Sequence, residues 1–234
     1  MENVTQNEKS VARNQEFFAD NDWYKSLQNE LELYQFIAKS AAHETVNARR
    51  LLDIGNGGVF IFPIGHIPDI EAIDIFVEES FRIRYPSVKW SQMSALDMQF
   101  DRPFDTAVAI NTLHHVIGDN VKATYANLDK IMGEVARNLE PNGRFVLLES
   151  TVPTWFIAPY KLVFALLVRF WPLKHPPTFQ FYFRDILGAA DKAGLALSEF
   201  CWIPKTSDFM SMGFRIKPWM SPIQMGKFVF VKKP

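Results

Sequence analysis

The sequence predicts an α/β protein built on a doubly wound, mostly parallel sheet of seven strands. Three observations carry that expectation. From Arg50 onward, short apolar runs alternate with helical stretches. The runs are near-continuous in hydrophobicity, as strands covered on both faces are. A glycine cluster follows the first run, where such a sheet places its ligand loop.

Each element has its own signal. The first 48 residues read as helical. From Trp23 to Ala42, the residues Trp23, Leu27, Leu31, Tyr34, Ile37, Ala38 and Ala41 recur at helical spacing. That stripe makes an amphipathic helix, with Asp20 and Asn21 as caps. Strands are predicted at Leu51–Ile54, Glu71–Phe76, Val88–Gln92, Asp105–Asn111 and Arg144–Glu149. Lys122–Leu139 is a helix stopped by Pro141, Asn142 and Gly143. A further helix, Arg184–Ala193, ends at Gly194. Leu195–Ile203 and Lys227–Val231 complete the sheet, with an irregular stretch between them carrying Pro204, Gly213, Pro218 and Pro222. The predicted organisation is a helical cap over 1–48, a main domain over 49–234, and an insertion at 151–183.

Composition narrows the function classes. Lys plus Arg is 25 and Asp plus Glu is 26, a net charge of -1. Nucleic acid is therefore not an expected partner, because phosphate binding draws on surplus cations. The single cysteine, Cys201, excludes an internal disulfide and a thiolate zinc site. Met1 to Ser10 is polar and shows no secretory h-region, so the expected compartment is the cytoplasm. Trp155–Leu173 is strongly apolar, but Pro159, Lys161 and Arg169 interrupt it. A membrane span needs about 20 mostly apolar residues. The segment reads instead as a buried cap helix, or as a helix making peripheral contact with a membrane surface.

The loop after the first strand reads Asp53-Ile54-Gly55-Asn56-Gly57-Gly58-Val59. Glycines let the chain turn sharply and leave no Cβ between backbone and ligand. Asp74 lies about 20 residues on, at the end of the second strand, where an acid can accept both ribose hydroxyls. A glycine cluster alone is also compatible with a plain tight turn.

With these residues in view, the chain resembles the class I S-adenosylmethionine-dependent methyltransferases, whose fold is Rossmann-like. Asp53, Gly55 and Gly57 fit the family's first motif, with Val59 at its third glycine position. Ile73-Asp74-Ile75 is similar to the second motif. Phe104 to Val108 followed by Asn111-Thr112-Leu113-His114-His115-Val116 is similar to the fourth-strand motif, and Leu139 to Phe145 to the turn into the fifth strand. The resemblance implies S-adenosyl-L-methionine as cofactor. It places Asp53 and Gly55 near the methionine amino group, Gly57 under the ligand, Asp74 on the ribose and Ile75 on the adenine, and it counts Asn56 among the cofactor-binding residues. Ser94, Ala95 and Leu96 stand where the family often has an acid for the adenine amine, and Asn111 faces the methionine end. The family normally continues from the glycine loop into a helix. Here Pro63, Gly65 and Pro68 shorten or break any helix, so the cofactor carboxylate loses a helix N-terminus as its anion site; loop amides can substitute, and the alternative is a degenerate, non-binding site.

His114 and His115 are the candidate general bases, since neutral imidazole suits deprotonation of a hydroxyl or phenol. A bond to neighbouring backbone is the competing role for one of them. Adjacent histidines point apart, so no metal is predicted. Glu149 can orient a substrate or be a solvated strand end. His66 and His175 read as loop histidines, and Arg169 and Arg184 as partners for an acidic group or as surface ion pairs. The aromatics of the insertion, among them Trp155, Tyr160, Phe164, Phe170, Trp171 and Phe179, can line an acceptor pocket or pack on the N-terminal helices.

The expected function is methyl transfer to an O or N of a moderately hydrophobic small molecule, apolar or aromatic, as in secondary-metabolite biosynthesis. The alternatives are a methyltransferase on a membrane-resident quinone or lipid precursor, and a non-catalytic protein that retains the fold. A nicotinamide oxidoreductase is disfavoured, because no Tyr-x-x-x-Lys pair is present. The acceptor and the oligomeric state are not encoded in any readable motif.

Overall fold

The structure, a computed structural model, describes residues 32–167, 178–204, 209–211, 214–216 and 223–234. The element order begins α1 (Glu32–Thr45), β1 (Arg50–Ile54), β2 (Asp69–Asp74), α2 (Glu79–Arg84), β3 (Val88–Gln92) and β4 (Phe104–Ile110). It continues with a 3-10 turn (Leu113–His115), α3 (Val121–Asn138), β5 (Leu139–Val152), α4 (Thr154–Leu167), β6 (Phe181–Tyr182) and α5 (Phe183–Lys192). It ends with β7 (Leu195–Ile203), β8 (Phe209–Ser211), β9 (Phe214–Ile216) and β10 (Gln224–Lys232).

The strands lie in the order β3-β2-β1-β4-β5-β10-β7, and the short β6 pairs with β5. β1 to β5 run parallel, while β10 is antiparallel to both β5 and β7. The predicted seven-stranded, mostly parallel sheet is thus present, with one added bridge. β8 and β9 form a separate two-stranded ribbon within the stretch read as irregular.

Side-chain alternation divides the core between the two faces of the sheet. On one face, Leu128, Ile131, Met132 and Val135 of α3 and Ile186 and Ala190 of α5 pack on Leu52, Ala107, Phe145 and Phe230. Their spacing is the three-and-four step of an amphipathic helix. The Asn120 side chain caps α3 by accepting from the Ala123 amide at 3.0 Å. On the other face, Ile37 and Ala41 of α1 pack with Phe62, Ile67, Phe81 and Trp90 on Leu51, Ala72, Val108 and Val146. α1 is further held by buried Glu44, which accepts from Lys227 of β10 and Arg144 of β5. Burial would raise the Glu44 carboxyl, but the hydrogen bonds from Lys227, His43 and Arg144 outweigh it and hold it below its ordinary value.

Several boundaries differ from expectation for local reasons. β2 ends at Asp74 instead of Phe76, because the Asp74 Oδ1 accepts from the Phe76 amide at 3.1 Å and turns the chain. The Pro141-Asn142-Gly143 group does not separate helix from strand. It bulges β5, with Asn142 at φ 62° and the β4–β5 register shifting between Phe104 and Thr106. The buried aromatics of the insertion belong to the α3 face: Phe179 and Phe181 lie edge-on to Tyr125 at 5.7 and 5.6 Å. α1 belongs to the opposite face, so among the described residues the expected packing on the N-terminal helix is replaced by packing on α3. Trp23, Leu27, Leu31, Arg169, Phe170, Trp171, His175, Gly213, Pro218 and Pro222 lie outside the described residues.

Candidate active site

The carboxyl ends of β1, β2, β4 and β5 bring most of the singled-out residues together. β1 leaves the sheet at Gly55, whose φ of 70° is left-handed, and the Gly55 amide still donates to the Ile73 carbonyl at 2.8 Å. A Cβ on Gly55 would lie 2.3 Å from Thr112 Cγ2. Thr112 Oγ1 donates to the Ile54 carbonyl at 3.0 Å, tying the loop after β4 to the loop after β1. Sequence reasoning passed over Thr112, since a threonine in a loop carries no signal of its own. A Cβ on Gly58 would meet the Phe81 ring at 2.2 Å, whereas one on Gly57 meets nothing within 4 Å. Of these three glycines, Gly57 alone borders open space.

The expected break after the glycine loop is present: no helix lies between β1 and β2. The chain is anchored there by buried Phe62 and Ile67 and by Phe60, which is edge-on to Tyr85 at 5.0 Å. His66 is exposed, and its ring nitrogen lies 3.4 Å from the Thr45 carbonyl oxygen.

Two carboxylates face this loop. Asp53 is 3% exposed and accepts from Asn56 Nδ2 at 2.8 Å. Burial pushes its carboxyl up to about 7 against the Asn56 hydrogen bond, with the Asp74 charge adding to the rise. Asp74 accepts from the Gly57 amide at 2.9 Å. Burial raises it too, while the Gly57, Phe76 and Ile75 amides oppose the shift. Asn56 Oδ1 is buried with no hydrogen-bond partner. Two acids, an orphaned carbonyl oxygen and an open glycine make a surface that accepts hydrogen bonds and favours a cation.

Ile75 is half-buried in the bend after Asp74. Ser94, Ala95 and Leu96 form the turn after β3. The exposed Ser94 spends its hydroxyl oxygen on the Leu96 amide at 3.2 Å, and the Met93 amide donates to the Asp74 carbonyl at 2.8 Å. Asn111 is left-handed at φ 52° and donates its amide to the Leu148 carbonyl at 2.9 Å.

His114 and His115 follow in the 3-10 turn with ring centroids 4.2 Å apart. His114 Nδ1 lies 2.6 Å from Glu149 Oε1. Glu149 is fully buried at 0% exposure, which overturns its reading as a solvated strand end. The pairing follows from the parallel register, because β4 ends at Ile110 opposite Leu148, one residue before Glu149. Arg184 makes no described hydrogen bond to this cluster, whereas Phe179 of the insertion donates its amide to the His114 carbonyl at 2.8 Å. Among the described residues no group of three or more His, Cys, Asp or Glu is arranged to hold a metal ion.

Residues 52–147 match a family model described as a methyltransferase domain. The match spans β1 to the middle of β5, the segment that supplies the glycine loop, Asp74 and His114. The chain is 29% identical over 135 residues to the EEF1A lysine methyltransferase 4 of Bos taurus, covering 51% of this chain and 51% of that protein. It therefore spans about half the length of that relative. Among solved structures it is similar to the 1,6-didemethyltoxoflavin-N1-methyltransferase of Burkholderia thailandensis, crystallised with 1,6-didemethyltoxoflavin and S-adenosylhomocysteine. The TM-score is 0.63 at 13% identity, over 100% of this chain and 92% of that one. It is also similar to the N-methyltransferase NodS of Bradyrhizobium japonicum WM9 with S-adenosylhomocysteine. Here the TM-score is 0.62 at 13% identity, over 96% of this chain and 100% of that one. At these identities the likeness to the methyltransferase structures establishes the fold.

Proposed function

We propose that the chain binds S-adenosyl-L-methionine and transfers its methyl group to an O or N of a moderately hydrophobic small molecule, in secondary-metabolite biosynthesis. The observation that carries this reading is the Asp74 carboxylate, 2.9 Å from the amide of Gly57, which unlike Gly55 and Gly58 borders open space. Asp74 would accept the ribose hydroxyls and Ile75 would cover the adenine. Ser94, Ala95 and Leu96 would flank the adenine edge through backbone groups. Asp53 and Asn56 Oδ1 would take the methionine ammonium beside Gly55, with Asn111 facing the same end. The bound cofactor supplies an activated methyl group. The protein's part is to position the acceptor and exclude water. In this reading the cap over 1–48 and the insertion over 151–183 cover the cleft, and the insertion selects an apolar or aromatic acceptor. The bound 1,6-didemethyltoxoflavin and the N-methyltransferase activities named for the similar structures support a small nitrogen-containing acceptor.

Calorimetry with S-adenosylmethionine and S-adenosylhomocysteine tests the core of the proposal. Saturable binding of both is expected; no heat at millimolar concentration of either overturns it. Binding without turnover on a panel of hydroxylated and amino aromatics, with a lysine peptide beside them, favours a non-catalytic role or a different acceptor.

One observation favours a membrane-resident acceptor as a second reading. Trp155, Leu162 and Val163 of α4 are exposed at 64%, 66% and 49%, an apolar surface suited to an interface. No described helix is long and apolar enough to cross a membrane. Flotation with anionic liposomes separates the two: co-flotation selects the quinone or lipid precursor, and a protein left at the bottom selects a diffusing metabolite.

A further inference from the structure

Glu149 has more hydrogen bonds than a strand-end carboxylate needs. Its Oε2 accepts from the Leu113 amide at 2.8 Å. Its Oε1 accepts from the Ser150 amide at 2.7 Å and from the Ser150 hydroxyl at 3.1 Å, and faces His114 Nδ1 at 2.6 Å. Backbone amides only donate, so both oxygens act as acceptors before the histidine is considered. The Ser150 amide fixes Oε1 as an acceptor, and Ser150 Oγ lies 3.1 Å from Oε1 and 3.5 Å from His114 Nδ1. The shared proton therefore belongs on Nδ1, and the neutral imidazole carries its lone pair on Nε2. His114 retains 12% side-chain exposure beside a Glu149 side chain that is 0% exposed, so the ring is the part of the pair that still meets solvent. Its backbone is fixed as well, since the His114 carbonyl accepts from the Phe179 amide of the insertion at 2.8 Å.

We infer that Glu149 is a positioning residue that locks His114 with Nε2 as the proton acceptor, so that His114 serves an acceptor that must lose a proton. This rests on the methyl-transfer reading above and names its acceptor class: a hydroxyl, phenol or ammonium, rather than a group that is already anionic. The acceptor's heteroatom forms the bond to the methyl carbon, and the methyl–sulfur bond breaks with its electron pair staying on sulfur. The heteroatom's proton passes to Nε2, and the imidazolium charge is met by the adjoining Glu149 carboxylate. The arrangement follows the same logic as a base held in one tautomer by a buried acid. His115 lies against the same ring, with centroids 4.2 Å apart.

The first test needs no substrate. Long-range proton–nitrogen correlation on the whole chain, with His114→Gln to assign the signal, is expected to show His114 protonated at Nδ1 and bare at Nε2. The opposite tautomer overturns the inference, even if the cofactor binds. The second test is Glu149→Gln. A carboxamide has one acceptor oxygen for donors on both sides, so its NH2 must face the ring or an amide. The expected result is inversion of the His114 tautomer and a kcat lower by about 10²-fold or more, with S-adenosylhomocysteine affinity within about 3-fold of the parent. An unchanged kcat on a hydroxyl or amine acceptor overturns the inference, as does loss of kcat with the tautomer unchanged. Failure of the parent chain to bind S-adenosylhomocysteine sinks the methyl-transfer reading instead, and the tautomer measurement still decides the role of Glu149.

Discussion

The loops after β1 and β4 meet at one edge of the sheet but are built on opposite plans. The first holds Asp53 with the Asn56 side-chain amide and Asp74 with the Gly57, Phe76 and Ile75 amides, and leaves Asn56 Oδ1 without a partner. The second surrounds Glu149 with donors before any ligand arrives. A buried acceptor with no partner costs about 1–3 kcal/mol, so the first loop gains by exchanging its internal bonds for those of a ligand. A saturated carboxylate gains nothing from exchange and can only orient what touches it. On the proposed function, the difference suits the first loop to binding and the second to the geometry of proton transfer.

Three substitutions in the first loop sharpen that division, because each should move binding or stability while the His114–Glu149 pair stays as it is. The largest effect is expected for Gly55→Val. It combines a left-handed φ with a Cβ 2.3 Å from Thr112, so strain and overpacking together cost about 2–6 kcal/mol. Calorimetry should detect no S-adenosylhomocysteine binding, and thermal unfolding should shift down. Binding at parental affinity would show that the loop does not carry the site.

Asp53→Asn comes next. The folded Asp53 carboxyl titrates at about 7, against 3.8 for the unfolded reference. A raised acid contributes stability below its unfolded pKa and loses it as pH rises through the folded value. The parent should therefore lose stability between about pH 4 and about pH 7, by up to roughly 4 kcal/mol at about 1.4 kcal/mol per unit. The asparagine variant should not, because it has no proton to lose. Urea unfolding across that range checks it, and parallel curves for the two proteins would remove Asp53 as the titrating group. Asp74→Ala is the smallest of the three. Loss of charge-assisted hydrogen bonds worth about 1.5–3 kcal/mol should weaken S-adenosylhomocysteine about 10- to 100-fold with kcat at saturation little changed. A kcat loss at unchanged affinity would reverse the roles given to the two loops.

Legibility in the sequence followed the range of the interaction. Asp53 with Asn56, and the turn made by Asp74 onto Phe76, lie within three residues and could be anticipated from residue type. The proline-broken chain after Gly58 was read correctly because two prolines and a glycine forbid a helix regardless of what surrounds them. Thr112 against Gly55 and Phe81 against Gly58 join residues far apart in the chain, and neither has a pattern that singles it out. The two roles open to Glu149 could not be separated for the same reason: burial of a strand residue depends on which turn folds over it. The placement of the insertion on α3 also escaped, since an aromatic-rich helix carries no label for the face it will cover.

The order of apolar runs and breakers determined by itself which segments became strands and helices, that the sheet would be largely parallel, and where its ligand loop would fall. Those outcomes depend on periodicity and backbone freedom, which are local properties of a chain. Only the tertiary structure decided which glycine borders open space, which face α1 and the insertion occupy, and which histidine acquires a buried acid. Each of these is a contact between distant segments, made once the strands have fixed their register, and no residue carries that register in its own side chain.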